Sequence, residues 1–163
     1  MIRLARYRHN VGMIIVNQHN QVFWAKRAGQ NVWQFPQGGI QHGESPKEAM
    51  YRELFEETGL LPAHVNVLGQ TQNWIRYDIP AHLLKPLYRF LYRGQQQIWF
   101  LMRLIVEDSF ITLDASAPSE FDKWCWLDYW KPTQEVVNFK QAVYREALQI
   151  LSVHLIDLMP NTY

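Results

Sequence analysis

The chain has 163 residues, of which 48 % are hydrophobic and 14 % aromatic, a composition that excludes a disordered polypeptide and suits one globular domain. It contains 16 basic and 15 acidic residues, so the formal charge of +1 excludes a strongly basic nucleic-acid-binding body and allows only a local basic patch. The single cysteine, Cys125, excludes an internal disulfide and predicts a reducing, cytoplasmic location.

The N-terminal third of the chain predicts short strands. Residues 1–10 are basic but lack the apolar stretch of a secretory signal. Residues 11–16 and 22–26 are rich in β-forming side chains and surround a polar tetrapeptide, which predicts a hairpin. Residues 33–36 predict a short extended segment that leads into a glycine-containing loop.

A helix with two specified ends is predicted after this loop. Ser45 is a preferred N-cap, and Pro46 follows in the first turn, where its missing N–H costs nothing. Glu48 stands three residues after Ser45, so the two side chains can form a capping box. Gly59 predicts a left-handed C-terminal cap. The helix between these caps has about three and a half turns.

Three carboxylates, Glu53, Glu56 and Glu57, are spaced to share one face of this helix. The opposite, apolar face is predicted to be Tyr51, Leu54, Phe55 and Thr58, with Met50 at its flank. Carboxylates this close repel one another unless a cation lies between them, and oxygen-only donors favour Mg²⁺ or Mn²⁺ over zinc. Arg52, four residues before Glu56, can orient one carboxylate or neutralise charge. The alternative is a solvated acidic face.

The rest of the chain completes an α/β pattern. Further strands are predicted at residues 65–72, 74–79, 98–107 and 121–129. Residues 81–95 are predicted to be irregular, and apolar spacing predicts a last helix from residue 136 or 139 to residue 158. The longest apolar run, residues 98–106, contains Arg103 and is too short to span a bilayer. One helix between strands and another at the end predict a mixed sheet covered on both faces.

The pattern around the helix resembles the Nudix box. It reads Gly38, five residues, Glu44, seven residues, and then Arg52-Glu53-Leu54-x-Glu56-Glu57-x-Gly59-Leu60. A chance match is rarer than roughly one in ten million at ordinary residue frequencies. The chain is most similar to the bacterial RNA pyrophosphohydrolase branch of this family, from about residue 6 to about residue 148. The segments that carry this similarity are Tyr7-Arg8, Asn10-Val11-Gly12, residues 33–40, 50–57, 73–77, 99–101 and 120–122, and Val136-Val137-x-Phe139-Lys140.

The resemblance implies an α/β/α sandwich and a metal-dependent hydrolase, with Mg²⁺ as the cofactor and Mn²⁺ as a substitute. It implies one domain, residues 6–149 with the box at 38–60, followed by the end of the last helix and a short tail at 150–163. The implied catalytic residues are Glu53, Glu56 and Glu57, with Glu53 the usual general base. The implied metal-binding set is these three glutamates, the backbone carbonyl near Gly38, and Glu120. Spacing does not separate ligand from base.

The remaining implied roles concern substrate binding and the geometry of the box. Arg8 is expected near the 5′-phosphates, and Arg27, Val137, Phe139 and Lys140 are expected to cradle a base. The alternative for Phe139 and Val137 is the core side of the last helix. The residues expected to shape the box rather than bind metal are Glu44, Arg52 and Gly59.

The expected function is removal of pyrophosphate from 5′-triphosphorylated RNA, which leaves a monophosphate and promotes mRNA decay. The alternative substrate is a dinucleoside polyphosphate such as diadenosine tetra- or pentaphosphate. A different class, a non-catalytic Nudix-fold nucleotide-binding regulator, is disfavoured because every box carboxylate is present. No membrane partner is expected. His9 and Gln41-His42 stand where the family commonly has proline-containing pairs.

Overall fold

The computed structural model describes residues 6–155, in which four strands precede the first helix and further strands and helices follow. The strands are β1 Tyr7–Val16, β2 Val22–Arg27, β3 Trp33–Gln34, β4 Gln37–Gly39, β5 Val65–Gln70, β6 Ile75–Asp78, β7 Gly94–Leu104 and β8 Phe121–Leu127. The α-helices are α1 Pro46–Thr58, α2 Pro86–Leu91, α3 Pro132–Glu135 and α4 Gln141–Leu151. Single 3₁₀ turns are formed by Pro62–His64, Ala81–Leu83, Asp108–Phe110, Asn138–Lys140 and Ser152–His154.

The eight strands form one mixed sheet with the central order β3-β2-β1-β7-β5. β1 and β7 run parallel over their full contact, from Tyr7 opposite Gly94 to Val16 opposite Arg103. The other pairs are antiparallel: β4 lies beside the start of β1, β6 beside the start of β7, and β8 beside β2. The mixed sheet predicted from the sequence is confirmed.

Two hydrophobic cores lie on opposite faces of this sheet, because successive strand side chains point to opposite sides. On one face, Met13 and Ile15 pack with Met50 and Leu54 of α1. On the other face, Ile14 packs with the buried side of α4. Each fully buried aliphatic side chain of this kind contributes about 1.5–3 kcal/mol. The result is an α/β/α sandwich, with the box helix on one face and the last helix on the other.

The ends of α1 are those that the sequence predicts. Ser45 accepts a hydrogen bond from the Glu48 backbone, and the Glu48 carboxylate accepts one from the Ser45 backbone, so the capping box is complete. Gly59 has φ 71°, and its N–H donates to the Phe55 carbonyl. The predicted apolar face is partly wrong, however. The buried stripe is Ala49, Met50, Leu54, Glu57 and Thr58, whereas Phe55 is 43 % exposed.

Two other predictions about helices are wrong. Residues 81–95 were expected to be irregular, yet Pro86 starts the short helix α2 and Gly94 already belongs to β7. The last helix, expected from residue 136 or 139 to residue 158, is α4 from Gln141 to Leu151. Val137 has extended backbone angles, which separate α3 from the turn before α4. Residues 156–158 lie outside the described residues.

Candidate active site

Arg52 joins the glycine loop to the box helix. Its Nε and Nη2 donate to the two carboxylate oxygens of Glu44, both at 2.8 Å, and Nη2 also donates to the Gly39 carbonyl at 2.8 Å. Its Nη1 donates to Glu53 Oε1 at 2.8 Å and lies 3.4 Å from Glu56 Oε2. The guanidinium lowers the pKa of Glu44 to about 2. Both carboxylate oxygens of Glu44 therefore accept hydrogen bonds that fix the geometry of the loop.

Gly38 lies directly against the side chain of Glu53. A Cβ atom at Gly38 would overlap the Glu53 carboxyl group, so only glycine allows this strand to approach the helix so closely. Gly38 is held in place by its pairing with Val11 in the sheet. Burial raises the pKa of Glu53, and the hydrogen bond from Arg52 opposes that shift. The Glu53 carboxylate thus sits beside the backbone of the glycine loop.

Glu57 is the most deeply buried carboxylate of the helix, at 6 % exposure. Its Oε2 is buried and has no hydrogen-bond partner among the described residues. Burial raises the pKa of Glu57 well above its ordinary value, and the charges of Glu53 and Glu120 raise it further. A hydrogen bond from the Gln37 backbone opposes this shift. A buried carboxylate oxygen without a partner is energetically costly and calls for a cation or a proton.

A fourth carboxylate, Glu120, comes from a distant part of the sequence. Glu53, Glu56, Glu57 and Glu120 together are called the acidic group. It lies just before β8, and its carbonyl accepts a hydrogen bond from the Ala28 N–H at 2.9 Å. Its carboxylate lies 3.6 Å from Arg27 Nη2. Its charge raises the pKa of both Glu53 and Glu57, as expected for neighbouring like charges. The fold therefore brings Glu120 within electrostatic range of Glu53 and Glu57. Gly59, which was also expected to shape the box, packs against Thr112 at the C-terminal end of α1.

The acidic group fits a hard divalent cation by its chemistry, although its side chains are not arranged as a finished binding site. Its donors are all carboxylate oxygens, which suit Mg²⁺ or Mn²⁺, and the unpaired Glu57 Oε2 offers a ligand at no cost in hydrogen bonds. Within residues 6–155, no three acidic, histidine or cysteine side chains already stand together as a metal-binding set. Arg52 holds two of these carboxylates, Glu53 and Glu56, towards itself.

A cavity beside the acidic group contains the residues expected to bind a base. This base cavity has a volume of about 410 Å³, and its walls include Arg27, Tyr77, Val137, Phe139 and Lys140. The rings of Tyr77 and Phe139 are stacked, with centroids 6.1 Å apart. Phe139 also packs against the core on the α4 side, but it does so from a 3₁₀ turn and not from the helix. The structure therefore supports the core interpretation of Phe139 in part, and its contact with a base stays a prediction.

Lys140 connects the base cavity to the acidic group. Its side chain is 8 % exposed, and Nζ donates to Gln34 Oε1 at 3.3 Å and to Gln37 Oε1 at 3.4 Å. Burial lowers the pKa of Lys140 to about 8, and the Arg27 charge acts in the same direction. The charges of Glu120 and Glu57 oppose this shift. The lysine is thus a buried cation within electrostatic range of the carboxylates.

Arg8 lies on the other side of the glycine loop, apart from the helix carboxylates. A Cβ at Gly39 would come within 2.5 Å of Arg8 Nη2, so the end of the Arg8 side chain lies against this loop glycine. The Arg8 guanidinium lies 5.3 Å from the ring centroid of Tyr88. Arg8 lines a cavity of about 290 Å³, the central cavity, together with Arg27 and Glu120.

The sequence did not single out several residues that line these cavities. Tyr77 and Gln37 line the base cavity, and both lie in segments that carry the family resemblance. Alternating burial along β6, where Ile75 and Tyr77 point inward, is the signal that could have identified Tyr77. Tyr88 lies in the segment expected to be irregular, and its approach to Arg8 has no local sequence signal.

Comparison with known proteins decides the family, since the NUDIX domain family model matches residues 6–148. The chain belongs to the Nudix family. A curated RNA pyrophosphohydrolase from Thioalkalivibrio sulfidiphilus (strain HL-EbGR7) is 54 % identical to this Nudix protein over 152 residues, which cover 93 % of this chain and 88 % of the relative. The resemblance that the sequence shows is confirmed.

Solved structures agree with the Nudix fold. The E. coli dihydroneopterin triphosphate pyrophosphohydrolase has a TM-score of 0.70 at 21 % identity, covering 90 % of this chain and 97 % of that chain. A C. elegans Ap4A hydrolase in a binary complex has a TM-score of 0.62 at 14 % identity, covering 85 % and 93 % of the two chains. At these identities the two likenesses support the fold alone.

This Nudix protein is a hydrolase that acts on pyrophosphate bonds. Its site combines an acidic group suited to divalent cations with nearby cations, Arg8, Arg27 and Lys140, that can bind phosphate oxygens. Nudix hydrolases depend on divalent metals as a family. None of the helices in residues 6–155 has both the length and the apolar character needed to cross a membrane.

Proposed function

We propose that this Nudix hydrolase removes pyrophosphate from the 5′-triphosphate end of RNA and leaves a 5′-monophosphate, a change that promotes mRNA decay. The observation that carries the proposal is the position of the base cavity directly beside the acidic group. Arg27 belongs to the walls of that cavity and also pairs with Glu120. A nucleotide base held there brings its own phosphates to the carboxylates. The 54 % identity to an RNA pyrophosphohydrolase supports the same substrate.

The proposed roles of the acidic residues follow from their surroundings. Glu53, Glu56, Glu57 and Glu120, with the backbone carbonyl near Gly38, hold divalent cations, for which we propose Mg²⁺ with Mn²⁺ as a substitute. A bound cation supplies positive charge that offsets the repulsion between a polyphosphate and an incoming nucleophile. Glu53 accepts the proton of the attacking water, and burial, which raises its pKa, makes it a better proton acceptor.

The proposed roles of the cations and aromatic groups concern orientation. Arg8 binds the 5′-phosphates from the far side of the glycine loop, and Arg27 with Lys140 binds from the base-cavity side. Phe139, beside the exposed Val137, offers an aromatic face to an unpaired base. A substrate held by these residues needs little further ordering before reaction. The hydrophobic ring at Phe139 is therefore expected to matter for substrates that contain a base in this cavity.

The alternative substrate is a dinucleoside polyphosphate, since it also joins a base to a polyphosphate. Turnover of 5′-triphosphate RNA and of diadenosine tetraphosphate, each with Mg²⁺ and with Mn²⁺, ranks the two substrates. We expect the higher kcat/KM on RNA, and a clear preference for the dinucleotide would reverse the order. A regulator without activity would release neither phosphate nor pyrophosphate from either substrate.

A substitution tests the proposed general base. We expect Glu53→Gln to abolish turnover, with a loss on the order of a thousandfold or more. The variant should keep the circular dichroism spectrum of the wild type. Glu146→Gln is the matched control, because it makes the same change at an exposed glutamate of α4 that lines none of these cavities. Undiminished activity of Glu53→Gln would remove Glu53 from the mechanism.

We also propose bounds for the Nudix domain and a cellular compartment for the protein. Residues 6–149 form the Nudix domain, and residues 150–163 hold the end of the last helix and a short tail. Of this last stretch, residues 150 and 151 are helical in the described part of the chain. The single cysteine, Cys125, supports the cytoplasm as the working compartment, because it forms no disulfide.

A further inference from the structure

A second concave surface, the arginine cavity, lies at the start of β1. It has a volume of about 520 Å³, and Arg6, Arg8 and Arg76 all line it. No aspartate or glutamate of residues 6–155 belongs to its lining. The chain as a whole carries a formal charge of only +1, so three arginines around one cavity are a local concentration of positive charge. Such a cavity attracts an anionic ligand.

The three arginines retain most of their binding capacity. None of them forms an ion pair with a carboxylate in the part of the chain that the structure describes. Arg76 Nε donates to Gln96 Oε1 at 2.9 Å, and its guanidinium lies 5.2 Å from the Tyr7 ring centroid. These contacts position Arg76 while occupying one of its five N–H donors. The remaining donors suit the paired oxygens of a phosphate.

The arginine cavity is continuous with the proposed catalytic site, because Arg8 lines both it and the central cavity that contains Glu120. An exposed aromatic pair stands beside it. The rings of His9 and Trp74 are stacked with centroids 4.6 Å apart and planes inclined by 20°, and Trp74 is 37 % exposed. Aromatic faces next to arginines are the means by which proteins hold single-stranded RNA.

We propose that the arginine cavity binds the backbone phosphates of the RNA chain downstream of the 5′ end, with the His9–Trp74 pair as a stacking surface for a base. This inference rests on the proposed function and specifies how a long substrate leaves the catalytic site. A dinucleoside polyphosphate has no such downstream chain. An acidic peptide would use only the positive charges of the three arginines. RNA would use these charges for its phosphates and the exposed aromatic pair for a base, so RNA fits the arginine cavity better.

Substrate length provides the test. The variants are Arg6→Gln and Arg76→Gln. The matched control is Arg145→Gln, because Arg145 is an exposed arginine of α4 that lines neither the arginine cavity nor the central cavity. We expect the first two variants to lower kcat/KM about three- to tenfold on a 5′-triphosphate RNA of about ten nucleotides. Turnover of a 5′-triphosphate dinucleotide should not change. Arg76→Lys, which keeps the charge, should recover part of the loss.

The salt dependence of binding gives a second measurement. For the longer RNA with a 5′-monophosphate, we expect each Gln variant to reduce the slope of log K against log[salt] by about 0.7, the value for one lost single-strand phosphate contact. Trp74→Ala should weaken this binding about five- to a hundredfold, as expected for one lost base stack. The Arg145→Gln control should match the wild type in both measurements.

The results that would overturn the inference are distinct from failure of the proposed function. Equal losses on the long and the short RNA would place the arginines in catalysis or in folding, and unchanged turnover and binding of the long RNA would leave an acidic protein segment as the ligand. Either result contradicts the proposal while RNA hydrolysis itself stands. A wild type that cleaves neither RNA would contradict the proposed function, and binding of the monophosphate RNA would then still test the arginine cavity.

Discussion

Glu57 leads to the prediction that Glu57→Gln inactivates the enzyme yet stabilises the metal-free protein at neutral pH. The carboxylate is nearly fully buried, and its Oε2 has no partner among residues 6–155. An unsatisfied buried polar group costs about 1–3 kcal/mol, and an uncharged amide of the same shape avoids the cost of the charge. For a chain of this size, that gain corresponds to a rise in Tm of about 2–12 °C.

The pH dependence has a definite sign. Because folding raises the pKa of Glu57 above its ordinary value of 4.5, the contribution of Glu57 to the stability of the wild type falls as the pH rises from 4.5 through the folded pKa. The advantage of the glutamine variant should therefore develop over that range and vanish below it. Melting curves in EDTA at a series of pH values measure this directly.

Added Mg²⁺ should reverse the order of stability. A ligand at a hundred times its Kd adds about 2.7 kcal/mol to a protein that binds it only when folded. The wild type should gain this increment, and Glu57→Gln should gain little. Glu56→Gln is the control in EDTA. The Glu56 side chain is 42 % exposed, so removing its charge should not raise the Tm. A lower Tm for Glu57→Gln than for the wild type in EDTA would refute the reasoning.

Three further predictions concern the surroundings of the acidic group. Arg52→Lys should cost about 1–2 kcal/mol, since an ammonium group cannot reproduce the fork to Glu44. The folded pKa of Glu44 is about 2, so this difference should be present above pH 4.5 and disappear as the pH falls towards 2 in urea titrations. Gly38→Ala should lower kcat about a hundredfold with an unchanged circular dichroism spectrum, because the added Cβ displaces the Glu53 carboxylate. Normal activity of this variant would mean that the position of Glu53 is not critical. Phe139→Ala should reduce kcat/KM on 5′-triphosphate RNA about five- to a hundredfold more than on inorganic tripolyphosphate, which has no base, and a uniform loss would argue against base stacking.

The ends of α1 could be predicted from the sequence because helix caps are local. Ser45, Glu48 and Gly59 make their capping contacts within four residues of chain, and no distant part of the protein has to be known. The end of α4 could not be predicted in the same way. Leu155 is buried, so the apolar spacing continues past Leu151, but the chain reaches Leu155 through a 3₁₀ turn. Periodicity reports burial and does not distinguish the two backbone paths.

Without the family resemblance, the residues of the candidate site could be grouped only where they are close in sequence. The box carboxylates follow from their spacing, whereas the approach of Glu120 depends on the pairing of β8 with β2. The arginine cavity is assembled from β1, β6 and β7, whose register cannot be read from single strands. The contribution of His9 was visible only as a departure from the family pattern, because its partner Trp74 lies 65 positions away in the chain.

The position of Glu57 within α1 is unfavourable for stability in three independent ways. It lies on the buried stripe with Met50 and Leu54, where an apolar side chain would pack better. It stands next to other carboxylates, which repel it. It occupies the second-last residue of the helix, where the helix dipole disfavours negative charge and no basic residue compensates. A capping box and the Arg52 network hold the N-terminal half of the same helix in place. A helix held so firmly at one end can carry an unpaired carboxylate at the other, and a divalent cation would remove the first two of these costs at once.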